Sequence, residues 1–288
     1  KPAAMAPPPC DRFRSRRESR GAGKMRTVLP ATVRGLPWKY TPRKSGRTRG
    51  GGPRRPRVVN SHGSATSGGT LRRFDLVAFD VDGTLVEHPA DKTVWQVLNE
   101  RFTGSDDQNR ERLAAYRAGR LSYADWVALD VGSWRAAGAR RDDLVRAFGP
   151  LRLVRGAEET TSALKRAGVR LAVISGTLDL LLETLFPGHP FDDVHTNRIA
   201  FDAEGRIESW CATPFDMEGK AEALRAIASR EGVPLSRCAF VGDHSNDLSA
   251  VRIAGFAVAF NPKCAEIEAI AGAVVRSGDL RDVLPHLT

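Results

Sequence analysis

The 288-residue sequence has no long apolar run and few cysteine or aromatic residues. No stretch approaches the roughly 18 consecutive apolar residues that a membrane-spanning helix needs, so we expect no integral membrane protein. The four cysteines include no CxxC pair, which argues against a zinc knuckle, and they are too few for a disulfide framework. Cysteine this sparse is typical of a reducing compartment, and the sequence therefore favours a cytoplasmic protein.

Acidic residues are nearly absent from residues 1–72, which contain 18 Lys and Arg but only Asp11 and Glu18. Residues 73–288 contain 26 basic and 32 acidic residues, so the net charge of +10 arises entirely from the first quarter of the chain. That quarter also contains 9 of the 17 prolines and 10 of the 27 glycines. A segment of this composition buries too little apolar surface to offset its chain entropy, so we expect a disordered tail over 1–72.

Three interpretations of this tail stay open. It could be a basic arm that binds nucleic acid through phosphates, an organelle transit peptide, or a segment without a selected function. Only Phe13, Trp38 and Tyr40 supply aromatic rings between the basic residues, and the many Pro and Gly residues disfavour an amphipathic helix. We therefore favour neither nucleic-acid binding nor an organelle address.

Short apolar runs alternate with amphipathic segments from residue 75 onward. This alternation predicts an α/β fold, a doubly wound Rossmann-like parallel sheet with helices on both faces. Residues 88–150 instead predict four helices and no strand, which indicates an all-helical cap inserted after the first strand of a core formed by 73–87 and 151–288. The predicted strands lie at 76–79, 169–174, 239–241, 257–260 and 273–275, and residues 193–210 predict paired extended segments around a turn at 203–205.

Two carboxylates directly follow the first predicted strand, where ligands bind in open α/β sheets. Asp80 and Asp82 are two residues apart in an extended segment, so they project to the same side, and Gly83 permits the turn after them. Paired carboxylates suit a hard cation, and one of them can attack phosphorus while the other handles a proton. A calcium loop is disfavoured because the third ligand position and the Glu twelve residues from its start are absent.

Three further polar clusters follow later strands. Ser175-Gly176-Thr177 offers a hydroxyl and backbone N–H groups for an anion, although a simple helix cap would look the same. Lys220 stands near the start of a predicted helix, where an ordinary surface lysine is the alternative. Asp243 and Asp247 add two carboxylates whose repulsion a cation would offset.

Together these clusters resemble the four motifs of the haloacid dehalogenase (HAD) superfamily of phosphohydrolases, and the resemblance covers about 74–288. The helical insertion is similar to the cap of subfamily IB, the branch that contains phosphoserine phosphatase. In chain order the matching motifs are Asp80-Val81-Asp82-Gly83-Thr84, Ser175-Gly176, Lys220, and Gly242-Asp243 with Asn246-Asp247.

The resemblance implies a Mg²⁺-dependent phosphomonoester hydrolase that acts on a small phosphorylated metabolite through an aspartyl-phosphate. It assigns the nucleophile to Asp80, proton transfer to Asp82, and further catalytic roles to Ser175 and Lys220. It assigns Mg²⁺ to Asp80, the backbone carbonyl of Asp82, Asp243 and Asp247. Phosphate or substrate contacts would come from Thr84, Gly176 and Asn246.

The chain departs from phosphoserine phosphatases at positions that read the substrate. Pro89 stands where that branch has Glu, Asp130 lies near the position of a cap arginine, and Thr177-Leu178 replaces Gly-Phe. Glu87, Arg117 or Arg120 could compensate, or could be ordinary surface charges. Phosphoserine is therefore one candidate substrate, and a phosphotransferase or mutase with the same intermediate stays an alternative function. The sequence does not indicate an oligomeric state.

Overall fold

Seven strands form one open sheet whose central strand carries the first acidic motif. The structure, a computed structural model, describes residues 72–288, so the predicted tail lies outside the described residues except for Arg72. In chain order the strands are β1 (Leu76–Phe79), β2 (Val86–Glu87), β3 (Arg152–Leu153), β4 (Arg170–Leu178), β5 (Asp193–Phe201), β6 (Ile207–Cys211), β7 (Cys238–Gly242), β8 (Phe256–Phe260) and β9 (Ala273–Val275). The order in the sheet is β6-β5-β4-β1-β7-β8-β9, and all neighbours are parallel except β5 and β6.

The sheet is buried on both faces, which explains why β1 reads as an unbroken apolar run. Val77 and Phe79 belong to one apolar core, and Leu76 and Ala78 belong to the other. Helices cover each face, as the alternation of strands and helices predicts. They are α1 (Val94–Thr103), α2 (Asp107–Arg117), α3 (Tyr123–Ala136), α4 (Arg141–Ala147), α5 (Ala157–Arg166), α6 (Asp179–Leu185), α7 (Lys220–Glu231), α8 (Leu248–Val251), α9 (Ala265–Ile270) and α10 (Leu284–Leu287). The predicted doubly wound α/β fold is thus confirmed.

The first four helices form an insertion between β1 and β4. Strands β2 and β3 pair antiparallel on either side of this insertion and make a two-stranded stem. Thr93 begins α1 with a capping box, because its hydroxyl accepts from the Gln96 N–H and the Gln96 side chain accepts from the Thr93 N–H. Among residues 72–288, no helix is long and apolar enough to cross a membrane.

Strand β4 continues four residues beyond its predicted end at 174. The register between β4 and β5 shifts between Ile174 and Leu178, where Leu178 pairs with Asn197. The predicted anion cradle at 175–177 therefore lies in the irregular end of a strand, not at the start of a helix. The physical reason is long-range pairing with β5, which local periodicity does not report.

Candidate active site

The turn after β1 places two carboxylates at the carboxyl edge of the sheet. Asp80 is 3% exposed, and its N–H donates to the Val241 carbonyl at 3.0 Å, which extends the ladder between β1 and β7. Gly83 adopts a φ of 87°, and a Cβ there would lie 2.1 Å from Asp243 Oδ2. Glycine is required at 83 both by its backbone conformation and by this close approach.

Three buried carboxylates and one buried ammonium meet at this edge. One carboxylate oxygen from each of Asp80, Asp243 and Asp247 lies within 4.8 Å of the others. Lys220 Nζ lies 2.6 Å from Asp247 Oδ1 and 2.9 Å from Asp80 Oδ1. The sequence prediction that motifs far apart in the chain converge here agrees with this geometry, and Lys220 is fully buried, not a surface lysine.

Burial and mutual repulsion shift the protonation of this cluster. Burial raises the pKa of Asp247 to about 6, and burial together with the charges of Asp247 and Asp80 raises the pKa of Asp243 well above its usual range. Burial alone would lower the pKa of Lys220, but the charges of Asp247 and Asp80 outweigh it and hold that pKa well above its ordinary value. The lysine is therefore a permanent cation that only partly offsets three acids.

The donor set fits a hard divalent cation. Asp243 Oδ1 is buried and has no hydrogen-bond partner, so one oxygen in the cluster lacks a donor. Asp247 is more fully engaged, because its Oδ2 accepts from the N–H groups of Asp243 at 2.9 Å and His244 at 3.1 Å. Oxygen ligands and excess negative charge are what Mg²⁺ requires, and Asp80 and Asp243 carry the carboxylates freest to serve.

Asp82 is separate from this cluster and faces the first turn of α1. Its Oδ1 accepts from the Val94 N–H at 3.0 Å. Burial raises the pKa of Asp82 to about 6, and the charge of Asp80 adds to this effect. A carboxyl group with a pKa near neutrality, held beside the cavity, can both donate and accept a proton.

Ser175, Gly176 and Thr177 line one wall of the cavity above the carboxylates. The Gly176 carbonyl accepts from Trp95 Nε1 at 2.8 Å and from Asn197 Nδ2 at 2.6 Å. A Cβ at Gly176 would lie 1.9 Å from Asp216 Oδ2, so this position also requires glycine. Ser175 is 2% exposed, and its Oγ accepts from the Thr177 N–H at 3.2 Å.

The cavity has a volume of about 310 Å³ and is closed on one side by the helical insertion. Asn246 lines it, as predicted, whereas Thr84 is fully buried and does not line it. Trp126 lines the cavity, whereas Trp134 is a core residue that donates from Nε1 to Asn99 Oδ1 at 3.2 Å. The role of Thr84 in binding stays a prediction.

Sequence reasoning missed four charged residues in the cavity wall, namely Lys92, Arg110, Asp216 and Lys263. The last two lie against predicted site residues. Asp216 precedes Lys220 by four residues, and no motif singles it out. Lys263 pairs with Asp91, and its Nζ lies 3.5 Å from Asp243 Oδ2.

The positions that depart from phosphoserine phosphatases, and the residues considered as substitutes, lie in different environments. Pro89 is exposed. Asp130 is fully buried and accepts from Asn109 and Arg112. Of the residues considered as substitutes, Glu87 pairs with Arg152 at 2.9 Å and Arg117 lines the cavity at its exposed mouth. Arg120 is exposed and does not line the cavity.

Comparison with known proteins agrees with this geometry. Residues 74–255 match the model of a family described as haloacid dehalogenase-like hydrolase. A phosphoserine phosphatase of Streptomyces coelicolor is 33% identical over 200 residues, which are 69% of this chain and 47% of that protein. A phosphoserine phosphatase of Idiomarina loihiensis is 30% identical over 210 residues, which are 73% of this chain and 91% of that protein.

A solved structure described as a phospho-aspartyl intermediate analogue of phosphoserine phosphatase has a TM-score of 0.60 and 25% identity. The match covers 75% of this chain and 99% of the solved one. The chain spans less than half the length of the Streptomyces relative and of a Mycobacterium tuberculosis relative that is 34% identical.

Proposed function

Because the chain belongs to the haloacid dehalogenase-like hydrolase family, we propose that it is a Mg²⁺-dependent phosphatase acting on a small phosphorylated metabolite. The observation that carries the proposal is the buried cluster of Asp80, Asp243, Asp247 and Lys220 beside Ser175 at the carboxyl edge of the sheet. The cavity of about 310 Å³ above it suits a small phosphomonoester.

Asp80 is the proposed nucleophile. Its carboxylate oxygen forms a bond to phosphorus while the bond from phosphorus to the leaving oxygen breaks, giving an aspartyl-phosphate. Asp82 donates its proton to the departing oxygen and then takes a proton from the water that attacks the aspartyl-phosphate. That second step releases inorganic phosphate and restores the Asp80 carboxylate.

The remaining residues position and neutralise the phosphoryl group. Ser175 and the Gly176 N–H bind phosphoryl oxygens, and Asn246 contacts the phosphate or substrate. Lys220 holds Asp80 and Asp247 in place and offsets their charge. Asp80, Asp243 and the Asp82 carbonyl would hold Mg²⁺ with help from Asp247, and the bound ion would supply positive charge to a transferring phosphoryl group.

The identity of the substrate is a more specific question than the reaction class. The relatives named phosphoserine phosphatase make phosphoserine a candidate. The chain lacks the acidic residue at 89 and the cap arginine that the resemblance associates with that substrate, and Asp130 is occupied by Asn109 and Arg112. The proposal is therefore for the phosphatase chemistry, with phosphoserine as one substrate to be tested.

Hydrolysis of p-nitrophenyl phosphate tests the chemistry. We expect the activity to require Mg²⁺ and to fall by about 10³-fold or more in Asp80→Asn, since an amide cannot act as the nucleophile. Asp142→Asn is the matched control, because its side chain is 78% exposed and lies far from the chemistry in sequence and fold. Activity retained in Asp80→Asn would contradict the mechanism.

The same assay separates hydrolysis from phosphoryl transfer. With 1 M glycerol present, a phosphatase releases inorganic phosphate and p-nitrophenol in nearly equal amounts. A phosphotransferase releases less phosphate than p-nitrophenol and forms a glycerol phosphate instead. That second result would favour the alternative function while leaving Asp80 as the nucleophile.

A further inference from the structure

One carboxylate in the cavity wall has no part in the proposed chemistry. Asp216 is half-buried, lines the active-site cavity and makes no ion pair within residues 72–288. Its side chain contacts neutral groups, namely Asn246 Nδ2 at 3.4 Å from Oδ1 and the Tyr123 hydroxyl. The buried Lys220 forms its ion pairs with Asp247 and Asp80, although the charge of Asp216 also helps to raise the pKa of Lys220.

A charged carboxylate at position 216 is energetically unfavourable unless the bound ligand carries a positive charge. Asp216 Oδ2 lies against Gly176, which is a proposed phosphoryl-binding residue. A negative charge there repels the phosphate of any substrate, and the repulsion is strong in a half-buried site. A cation on the substrate would remove this cost, because it would sit between the phosphate and the carboxylate.

Aromatic rings surround the same carboxylate. A recess of about 30 Å³ adjoins the main cavity, and Asp216, Trp95 and Trp126 line both spaces, with Tyr123 lining the recess. This volume matches a group the size of a water molecule, such as an ammonium. Indole and phenol rings beside a carboxylate are the chemistry that recognises an organic ammonium group.

The same wall disfavours a carboxylate on the substrate. Asp130 lines the recess together with Asp216, but Arg112 balances the charge of Asp130, so Asp216 is the acid here without an ion pair among residues 72–288. Two cations of the insertion are already paired, Arg112 with Asp130 and Arg110 with Asp106 at 3.2 Å. In an α-amino acid the carboxylate is attached to the carbon that bears the ammonium, so it would enter the same acidic neighbourhood.

Resting on the proposed phosphatase function, we propose that the substrate is a phosphorylated amino alcohol without a carboxylate, whose ammonium is bound by Asp216, Trp95 and Trp126. Asp216 is then the specificity-determining residue of the cavity. Arg117 lines the cavity from its exposed mouth, so it can attract the phosphate during entry without reaching the recess.

Two substrates that differ in one group test the ammonium site. O-phosphoethanolamine and 2-hydroxyethyl phosphate differ only in a terminal ammonium or hydroxyl, so the ratio of their kcat/KM values reports the recognition of charge. We expect a ratio of at least 10 in the wild-type protein and a tenfold or larger fall in Asp216→Asn. Asp216→Glu should keep part of the preference. Glu218→Gln, two residues along and outside the active-site cavity, should keep the wild-type ratio.

The outcomes separate the two proposals. A wild-type ratio near 1, or a ratio that Asp216→Asn leaves unchanged, would overturn the ammonium site even if p-nitrophenyl phosphate is hydrolysed. Failure to hydrolyse p-nitrophenyl phosphate would instead contradict the phosphatase function itself. Because the wild-type ratio alone tests the site, the experiment stays decisive even if Asp216→Asn does not fold.

Phosphoserine tests the second half of the inference. We expect its kcat/KM to be no higher than that of O-phosphoethanolamine, because its carboxylate would lie beside Asp216, which has no ion pair among residues 72–288. A tenfold or larger preference for phosphoserine that Arg117→Gln removes would show that Arg117 reads a carboxylate, and it would overturn the assignment of a carboxylate-free substrate.

Discussion

Two buried acidic clusters in this protein differ in how their charge is balanced. In the insertion, Asp130 is fully buried and accepts from Asn109 Nδ2 at 2.8 Å and from the Arg112 guanidinium. At the sheet edge, the buried Lys220 pairs with Asp80 and Asp247, and Lys263 Nζ lies 3.5 Å from Asp243 Oδ2. The first cluster has one cation for one acid, and the second has two cations for three acids, and of these two cations only Lys220 is fully buried.

The difference separates a structural cluster from a functional one. Each Asp130 oxygen has its own donor, so the pair is complete without a ligand. At the sheet edge Asp243 Oδ1 has no hydrogen-bond partner, and burial together with repulsion among the acids raises the pKa of Asp243. Buried unpaired charge costs several kcal/mol, so a fold keeps such a cluster when a ligand completes it.

The largest effect should come from removing the buried cation of the sheet-edge cluster. In Lys220→Met the three acids lose their ammonium while the volume of the side chain is roughly kept. We expect kcat/KM for p-nitrophenyl phosphate to fall by about 10³-fold, or about 4 kcal/mol, because Asp80 and Asp247 lose the group that positions them. Lys165→Met is the control, since Lys165 forms a surface pair with Asp192 and is 35% exposed.

A loss in Lys220→Met no larger than in Lys165→Met would place Lys220 outside the catalytic machinery. Circular dichroism and thermal melts with Mg²⁺ should accompany the assay, so that activity is compared between folded proteins.

The second prediction concerns pH and the metal. Without metal, the pKa values of Asp82 and Asp247 are about 6 in the folded state against 3.8 ordinarily, so the folded protein binds more protons than the unfolded chain between these values. These groups therefore lower the free energy of unfolding as pH rises from about 4 to 6. Each of the two shifts corresponds to about 3 kcal/mol, since one pKa unit corresponds to about 1.36 kcal/mol.

The difference in stability with and without Mg²⁺ separates the contribution of these acids from that of the histidines outside the cavity. Burial lowers the pKa values of His189, His195 and His244, and these groups raise stability with pH over an overlapping range. Comparing melts with and without 5 mM Mg²⁺ at each pH cancels the contributions of His189 and His195, which do not line the cavity, whereas His244 lies beside the acids and is not cancelled. We expect the stabilisation by Mg²⁺ to grow from pH 5 to pH 7.5 and to shrink in Asp243→Asn. Equal stabilisation at both pH values would contradict a metal site formed by these acids.

The comparison also shows how far sequence reasoning reaches. The sheet could be predicted because buried parallel strands leave apolar runs, and the acids at 80, 243 and 247 could be predicted because they directly follow such runs. Local pattern alone predicted that β4 ends at 174. Its true end depends on pairing with β5 after a register shift, which is a long-range interaction.

Side-chain contacts that depend on packing between segments far apart in the chain could not be predicted from the sequence. From the sequence, Asp130 lies near a position that contacts the substrate in the subfamily. In the structure, the packing of α2 against α3 places its carboxylate in contact with Arg112 and Asn109. Asp216 carries no motif, and the backbone path from β6 to α7 brings it against Gly176. In both cases the residue type could be read, whereas its partner required the fold.

The smallest effect should come from the balanced cluster. Asp130→Ala removes the acceptor of Arg112 and Asn109 and leaves two donors without a partner, so we expect unfolding to become easier by about 2 kcal/mol. Asp130→Asn keeps an acceptor for Asn109 and leaves no carboxylate charge to be buried, and burial is what raises the pKa of Asp130. We therefore expect this substitution to lower the free energy of unfolding by about 1 kcal/mol or less. Urea denaturation with and without Mg²⁺ measures both, and neither variant should change the stabilisation by Mg²⁺, because the pair is complete without it. A loss of that stabilisation in Asp130→Asn would mean that the two clusters are coupled and that charge balance does not separate them.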